Sequence, residues 1–237
     1  MKITWLGHAA FRLDFSGKAV LIDPFFTGNP VFKGTREEAA RGCTHILLTH
    51  GHGDHIGDTV AIVEEAADAA REIPVVANPE ICAFLAGQGV GSTAFMNTGG
   101  TVDMGGFTVT MVRADHSSGG GSNPPEYLGN PTGLIIKAPG EPTVWHMGDT
   151  DIFSDMALLC EIHEPKVVFV PIGDRFTMSP KTAALAVKRF LPGVETVVPC
   201  HYATFPLLVQ DPSGFIEALK GHKVKIEAPA VGGSFQV

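Results

Sequence analysis

Thr49-His50-Gly51-His52-Gly53-Asp54-His55 places four metal-capable side chains within six residues. Neutral imidazole nitrogen and carboxylate oxygen are good ligands for zinc and similar divalent ions. Packed together without a cation, such groups are poor core material. A closed single-ion site takes about four protein ligands. This run supplies four by itself, and further candidates lie downstream, so it reads as half of a two-ion site.

The spacing has a structural basis. Thr44–Thr49 is mostly apolar and reads as a short strand. Asp58-Thr59 can cap a helix whose apolar positions, Ile62, Val63, Ala66, Ala67 and Ala70, recur at helical spacing. The His/Asp run then occupies the turn between them. In an extended turn, alternate residues point the same way, so His50, His52 and Asp54 are expected on one side. His55 is offset and suits a second ion. Gly51 and Gly53 let the turn bend and keep the approach open.

Three more ligand-type residues follow predicted strands: His116 in Ala114-Asp115-His116-Ser117, Asp149 in Met147-Gly148-Asp149-Thr150, and His201 in Pro199-Cys200-His201-Tyr202. Loops at strand ends are where a β scaffold presents its chemistry. Each alone is weak, because a single His or Asp there is commonly a hydrogen-bonded turn residue. Three of them after such a cluster strengthen one another.

The chain has 237 residues, 44% hydrophobic and 18% charged, with a formal net charge of -8. That is an ordinary folded composition, large enough for one α/β domain over 1–237. The acidic balance, without a basic cluster, argues against a nucleic-acid surface. No apolar run reaches the ~18 residues of a membrane helix, and Lys2, Arg12 and Asp14 interrupt any secretory segment. Cys43, Cys82, Cys160 and Cys200 form no CxxC pair, which fits reduced thiols in the cytoplasm. A small-molecule substrate is the expected partner; homo-oligomerisation is left open.

Strands are expected at Lys2–Leu6, Ala9–Phe15 and Lys18–Asp23 as an antiparallel meander. Strand–helix alternation follows the His/Asp run and returns near the end, with helix expected over Pro79–Ala86 and Pro180–Phe190. Strands dominate the middle. Two face-to-face sheets with helices outside fit this order better than one doubly wound sheet. Ser117–Pro131 is the strongest loop signal, rich in Gly and Pro. It reads as a surface excursion or as a flap beside the metals, where Tyr127 and Asn130 could contact substrate.

The motif His50-x-His52-x-Asp54-His55, followed in order by His116, Asp149 and His201, resembles the metallo-β-lactamase fold superfamily. Trp5-Leu6-Gly7-His8-Ala9-Ala10-Phe11, Leu21-Ile22-Asp23-Pro24, Pro171-Ile172-Gly173-Asp174 and Thr177-Met178 are similar to its small metal-dependent hydrolases, relatives of the ascorbate-6-phosphate lactonase group. The resemblance implies a four-layer αββα sandwich of two mixed sheets flanked by helices. It implies one ion on His50, His52 and His116, and a second on Asp54, His55 and His201, bridged by Asp149. An all nitrogen–oxygen set suits Zn2+ and would also accept Mn2+, Fe2+ or Co2+.

The implied activity is hydrolysis by a metal-bridging hydroxide, oriented by Asp54, on a small ester, lactone or phosphoester. A phosphodiesterase acting on a small cyclic or nucleotide-type substrate, and a non-catalytic metal-dependent sensor, are the alternatives. His8 is either a structural turn residue or a group near the substrate that polarises an oxyanion. Asp23 is either a turn-capping carboxylate or the partner of a metal-binding histidine. His45 and His146 are expected to be structural, His163 and His222 to face solvent, and Cys200 to be a buried thiol.

Overall fold

The computed structural model spans residues 1–237, and every residue except Ser122 is described. The first part of the chain forms β1 (Lys2–Gly7), β2 (Ala10–Phe15), β3 (Lys18–Ile22), β4 (His45–Leu47), β5 (Val75–Ala77) and β6 (Thr93–Phe95). Next come β7 (Thr101–Asp103), β8 (Thr108–Arg113) and a small hairpin, β9 (Gly119–Gly120) with β10 (Glu126–Tyr127). Then follow β11 (Thr132–Lys137), β12 (Val144–His146), β13 (Val167–Pro171), β14 (Thr196–Cys200) and β15 (Lys225–Ile226), and β16 (Ser234–Gln236) returns to pair with β1.

The strands make two seven-stranded sheets, ordered β16-β1-β2-β3-β4-β5-β6 and β15-β14-β13-β12-β11-β8-β7. Both are mixed. β3 to β6 run parallel, as do β12 to β15, and the remaining pairs are antiparallel.

Side-chain alternation builds the layers. On β3, Val20 and Ile22 enter the core between the sheets, whereas Leu21 faces the opposite way. Such a two-residue period is what a strand buried on both faces requires. Between the sheets, Phe11 stacks on Phe169 with centroids 3.9 Å apart. Outside the first sheet lie α1 (Arg36–Ala39), α3 (Thr59–Asp68) and α4 (Pro79–Ala86), with α2 (Gly53–Ile56) at its edge. Ile62, Ala66, Ile81 and Leu85 cover Leu21, Ile46 and Val75. Outside the second lie α5 (Met156–His163), α6 (Pro180–Phe190) and α7 (Ser213–Ala218), contributing Met156, Ala183, Val187 and Phe215. The result is the expected αββα order.

Helix ends follow local rules at α4 and α6. Asn78 accepts from Ile81 N and Ser179 from Thr182 N, each just before a proline that starts the helix. Asp58 departs from expectation. It occupies the cap position of α3 but makes no cap bond, because its carboxylate accepts from Phe26 N and Thr27 N instead. The strands β6 and β16, the β9–β10 hairpin and the short helices α1 and α2 were not expected from sequence. The hairpin lies inside the segment expected to be loop. Ser122, part of that loop expectation, lies outside the described residues.

Strand direction positions the chemistry. The pairing makes β1, β3 and β4 run one way in the first sheet, and β8, β12 and β14 one way in the second. His8, Asp23, His50, His116, Asp149 and His201 each follow the C-terminal end of one of these six strands. The two sheets are joined at that edge by backbone bonds, His201 N to His8 O at 2.9 Å and Thr132 N to Thr49 O at 3.0 Å.

Candidate metal centre

The seven expected ligands converge. His50, His52 and His116 offer nitrogens within 4.8 Å of one another, and so do the ligand atoms of Asp54, His55 and His201 together with His8. Asp149 lies between the groups. Its Oδ2 is 2.9 Å from His201 Nε2, 3.4 Å from His55 Nε2, 3.6 Å from His116 Nε2 and 4.0 Å from His50 Nε2. Gly148 makes this placement possible: its φ is +66°, and a Cβ there would lie 2.5 Å from Thr132 O.

Asp54 does not share a side with His50 and His52. Gly53 opens the helical turn α2, so successive side chains rotate by about 100° instead of alternating. That rotation carries Asp54 and His55 to the second group.

Hydrogen bonds set the imidazoles' orientation. Asp23 is fully buried; its Oδ1 accepts from Thr49 N at 2.9 Å and its Oδ2 from Thr49 Oγ1 at 2.7 Å and His55 Nδ1 at 2.8 Å. It therefore holds the turn and a histidine at once. With Thr49 Oγ1 donating to Asp23, His50 Nδ1 donates to Thr49 Oγ1 at 3.0 Å, leaving Nε2 as a lone pair. Such bonds fix the tautomer a metal needs. Asp23→Ala is expected to weaken the ion beside His55 by about 10- to 100-fold. Titration against a chromophoric chelator measures this; an unchanged affinity would reduce Asp23 to a turn cap.

His8 is fully buried, with Nε2 donating to Asp54 Oδ2 at 3.1 Å and Nδ1 lying 2.9 Å from Thr204 Oγ1. Burial and the neighbouring His201 push its pKa down to about 4, so the ring is neutral. Both ring nitrogens are engaged, and the N–H faces Asp54. Thr204 carried no sequence signal, because only the fold brings it within reach, 196 positions away. Phe25 and Phe205 flank the His8 ring edge-on, with centroids at 5.8 and 5.5 Å.

The charge balance favours a cation. Burial disfavours charge on Asp149, but His201 and His55 outweigh it and hold the carboxyl well below its ordinary range. Burial also opposes charge on His55, yet Asp149 and Asp23 outweigh it and raise the imidazole well above its usual value. Asp54 is likewise lowered, burial being outweighed by the bond from His8 and by His55. His50 lies well below the ordinary histidine range through burial and the neighbouring His55. The buried atoms Asp149 Oδ1, His55 Nε2 and His201 Nδ1 have no hydrogen-bond partner, although His55 Nε2 lies near Asp149. Unpaired buried polar atoms on three ligand-type residues, with the His55 and His201 Nε2 atoms both facing Asp149, fit a divalent ion.

His8, Asp23 and His201 also have positive φ, +53°, +45° and +57°. Non-glycine residues there cost about 1–3 kcal/mol each, and such strain gathers at functional sites.

The other expectations divide. His146 is buried, donating to Ala9 O and accepting from Gly148 N, and His45 packs edge-on against Phe107. His222 is exposed, whereas His163 is half-buried. Cys200 is fully buried and burial raises its pKa. Tyr127 and Asn130 lie beside His52 and His116, with Tyr127 donating to Asn130 Oδ1 at 3.1 Å.

Residues 18–202 match the family described as Beta-lactamase superfamily domain. The chain belongs to that superfamily, and its sheets and helices form the metallo-β-lactamase fold. The YhfI protein of Bacillus subtilis, a metallo-beta-lactamase fold protein, superposes with a TM-score of 0.74 at 15% identity, over 99% of this chain and 98% of that one. A UPF0173 metal-dependent hydrolase of Xanthobacter autotrophicus is 76% identical over 236 residues, 99% of this chain and 97% of that protein. The chain is thus a member of the UPF0173 metal-dependent hydrolases. Igni18, a metallo hydrolase of the archaeon Ignicoccus hospitalis, is 32% identical with a TM-score of 0.86, over 100% of this chain and 98% of that one. Among the described residues no helix is long and apolar enough to cross a membrane.

Proposed function

We propose that this hydrolase cleaves a small ester or lactone at a two-ion centre, zinc being the favoured metal. His50, His52 and His116 would hold one ion, Asp54, His55 and His201 the other, and Asp149 both. The observation that carries this reading is the position of Asp149 Oδ2, buried among four histidines drawn from both groups. When bound, two divalent ions would supply an acidified water and a Lewis acid for developing negative charge.

The chain's own residues do the rest. His8 donates to Asp54 Oδ2, which orients the carboxylate that would hold the ion and position its water. Thr204 Oγ1, 2.9 Å from His8 Nδ1, holds the ring in that orientation. Phe25 and Phe205 shield that hydrogen bond from solvent, where it would be weaker.

Anaerobic purification with metal analysis, then a screen of lactones, esters and phosphodiesters, tests the proposal. Metal-stimulated ester or lactone turnover is expected. Turnover confined to phosphodiesters would replace the substrate class. His8→Ala should lower turnover by about 10- to 100-fold while two ions remain bound at saturating metal. Loss of an ion would make His8 a ligand, and unchanged kinetics would make it structural.

A further inference from the structure

Beside His52 and His116 opens a cavity of about 600 Å³, within the range that takes small ligands. Pro125, Glu126, Tyr127 and Pro131 also line its wall. The wall is tied to the histidine turn. Ser118 Oγ accepts from Gly51 N and donates to Leu128 O, both at 2.9 Å. Asn78 Nδ2 also donates to Leu128 O at 2.9 Å. Leu128 is buried against Gly51, where a Cβ would come within 2.5 Å of it. The pocket is therefore built into the fold.

Its chemistry is selective. Among the described residues that line it there is no Lys or Arg, and Glu126 contributes a carboxylate. The nearby guanidinium of Arg113 is already engaged, 2.9 Å from Asp115 and 3.2 Å from Asp155. An anionic group entering here would lose water without gaining a protein cation, beside a like charge. The prolines and the exposed Tyr127 ring instead offer apolar surface to a flat or aliphatic group.

We infer that this pocket receives an uncharged apolar substituent, so that the substrate is a neutral ester or lactone and not a phosphorylated or carboxylated one. The inference rests on the proposed hydrolytic site, because His52 and His116 line the same pocket. A bound ion would attract the reacting group, whereas Pro125, Glu126, Tyr127 and Pro131 offer a substituent no cation.

Calorimetry on the zinc-loaded protein separates the two ideas. The probes are a matched pair of non-cleaved amides, one with alkyl ends and one with carboxylate ends. The alkyl amide should bind at least about tenfold more tightly. Tyr127→Ala should weaken the alkyl amide about fivefold and leave the other unchanged. Glu126→Lys should narrow the gap by tightening the carboxylate amide. Both side chains are exposed, so folding should be unaffected. Equal or tighter binding of the carboxylate amide, no binding of either, or no effect of Tyr127→Ala would overturn the inference. The matching esters are assayed in parallel. Alkyl-selective binding without turnover of either ester would support the pocket assignment and overturn the hydrolytic reading of the site.

Discussion

Asp149→Ala is expected to lower turnover by ~10³-fold or more, equivalent to about 4 kcal/mol of barrier, and to leave fewer than two ions bound. The carboxylate is nearly fully buried, and its Oδ2 faces His201, His55, His116 and His50 at 2.9 to 4.0 Å. No other carboxylate stands between the two groups among the described residues. Removing it leaves His55 with Asp23 alone as its acidic contact at ion-pair distance. Asp155→Ala is the control. Asp155 is exposed and pairs with Arg113, which keeps Asp115 as a second partner. Such surface pairs contribute about 0–1 kcal/mol, so activity and metal content should hold. Equal effects at the two positions, measured by turnover and metal analysis, would make Asp149 structural.

Removing the metal should destabilise the protein strongly. Seven candidate ligands exceed the needs of one tetrahedral ion, so two ions per chain are expected at full loading. At 100 to 1,000 times its dissociation constant, each ion adds about 2.7–4.1 kcal/mol to stability. In a chain of this size each kcal/mol moves Tm by about 2–4 °C. Chelation should therefore lower Tm by about 10 °C or more, and zinc should restore it. The physical source is the group of buried carboxylates and imidazoles, Asp23, Asp149, His50, His55 and His201, which carry the cost of desolvation whether or not an ion is bound. A single ion under excess metal, or a Tm unmoved by chelation, would contradict the two-site assignment.

Local signals were legible wherever one stretch of chain settles the outcome. The β1–β2–β3 meander follows from β-favouring runs broken by Gly7-His8 and Ser16-Gly17. The α4 and α6 helices follow from Asn78-Pro79 and Ser179-Pro180, which close their own caps. The ligand residues were legible by type and by place, each at a strand end. Elements that depend on distant pairing were not. β16 exists because β1 offers it an edge, and β6 because β5 does. Asp54 was put on the wrong side because an extended turn and a helical turn begin alike in sequence, and only the contacts of α2 choose between them.

The sequence by itself determined the donor set, all nitrogen and oxygen, and the αββα class, because residue type and hydrophobic period are local properties. Which donors face each other was decided only by the tertiary structure. Six strands from two sheets must run the same way before His8, Asp23, His50, His116, Asp149 and His201 meet at one edge. Thr204 gained its role, and the cation-poor pocket its shape, from segments far apart in the chain, so no spacing along it could announce them.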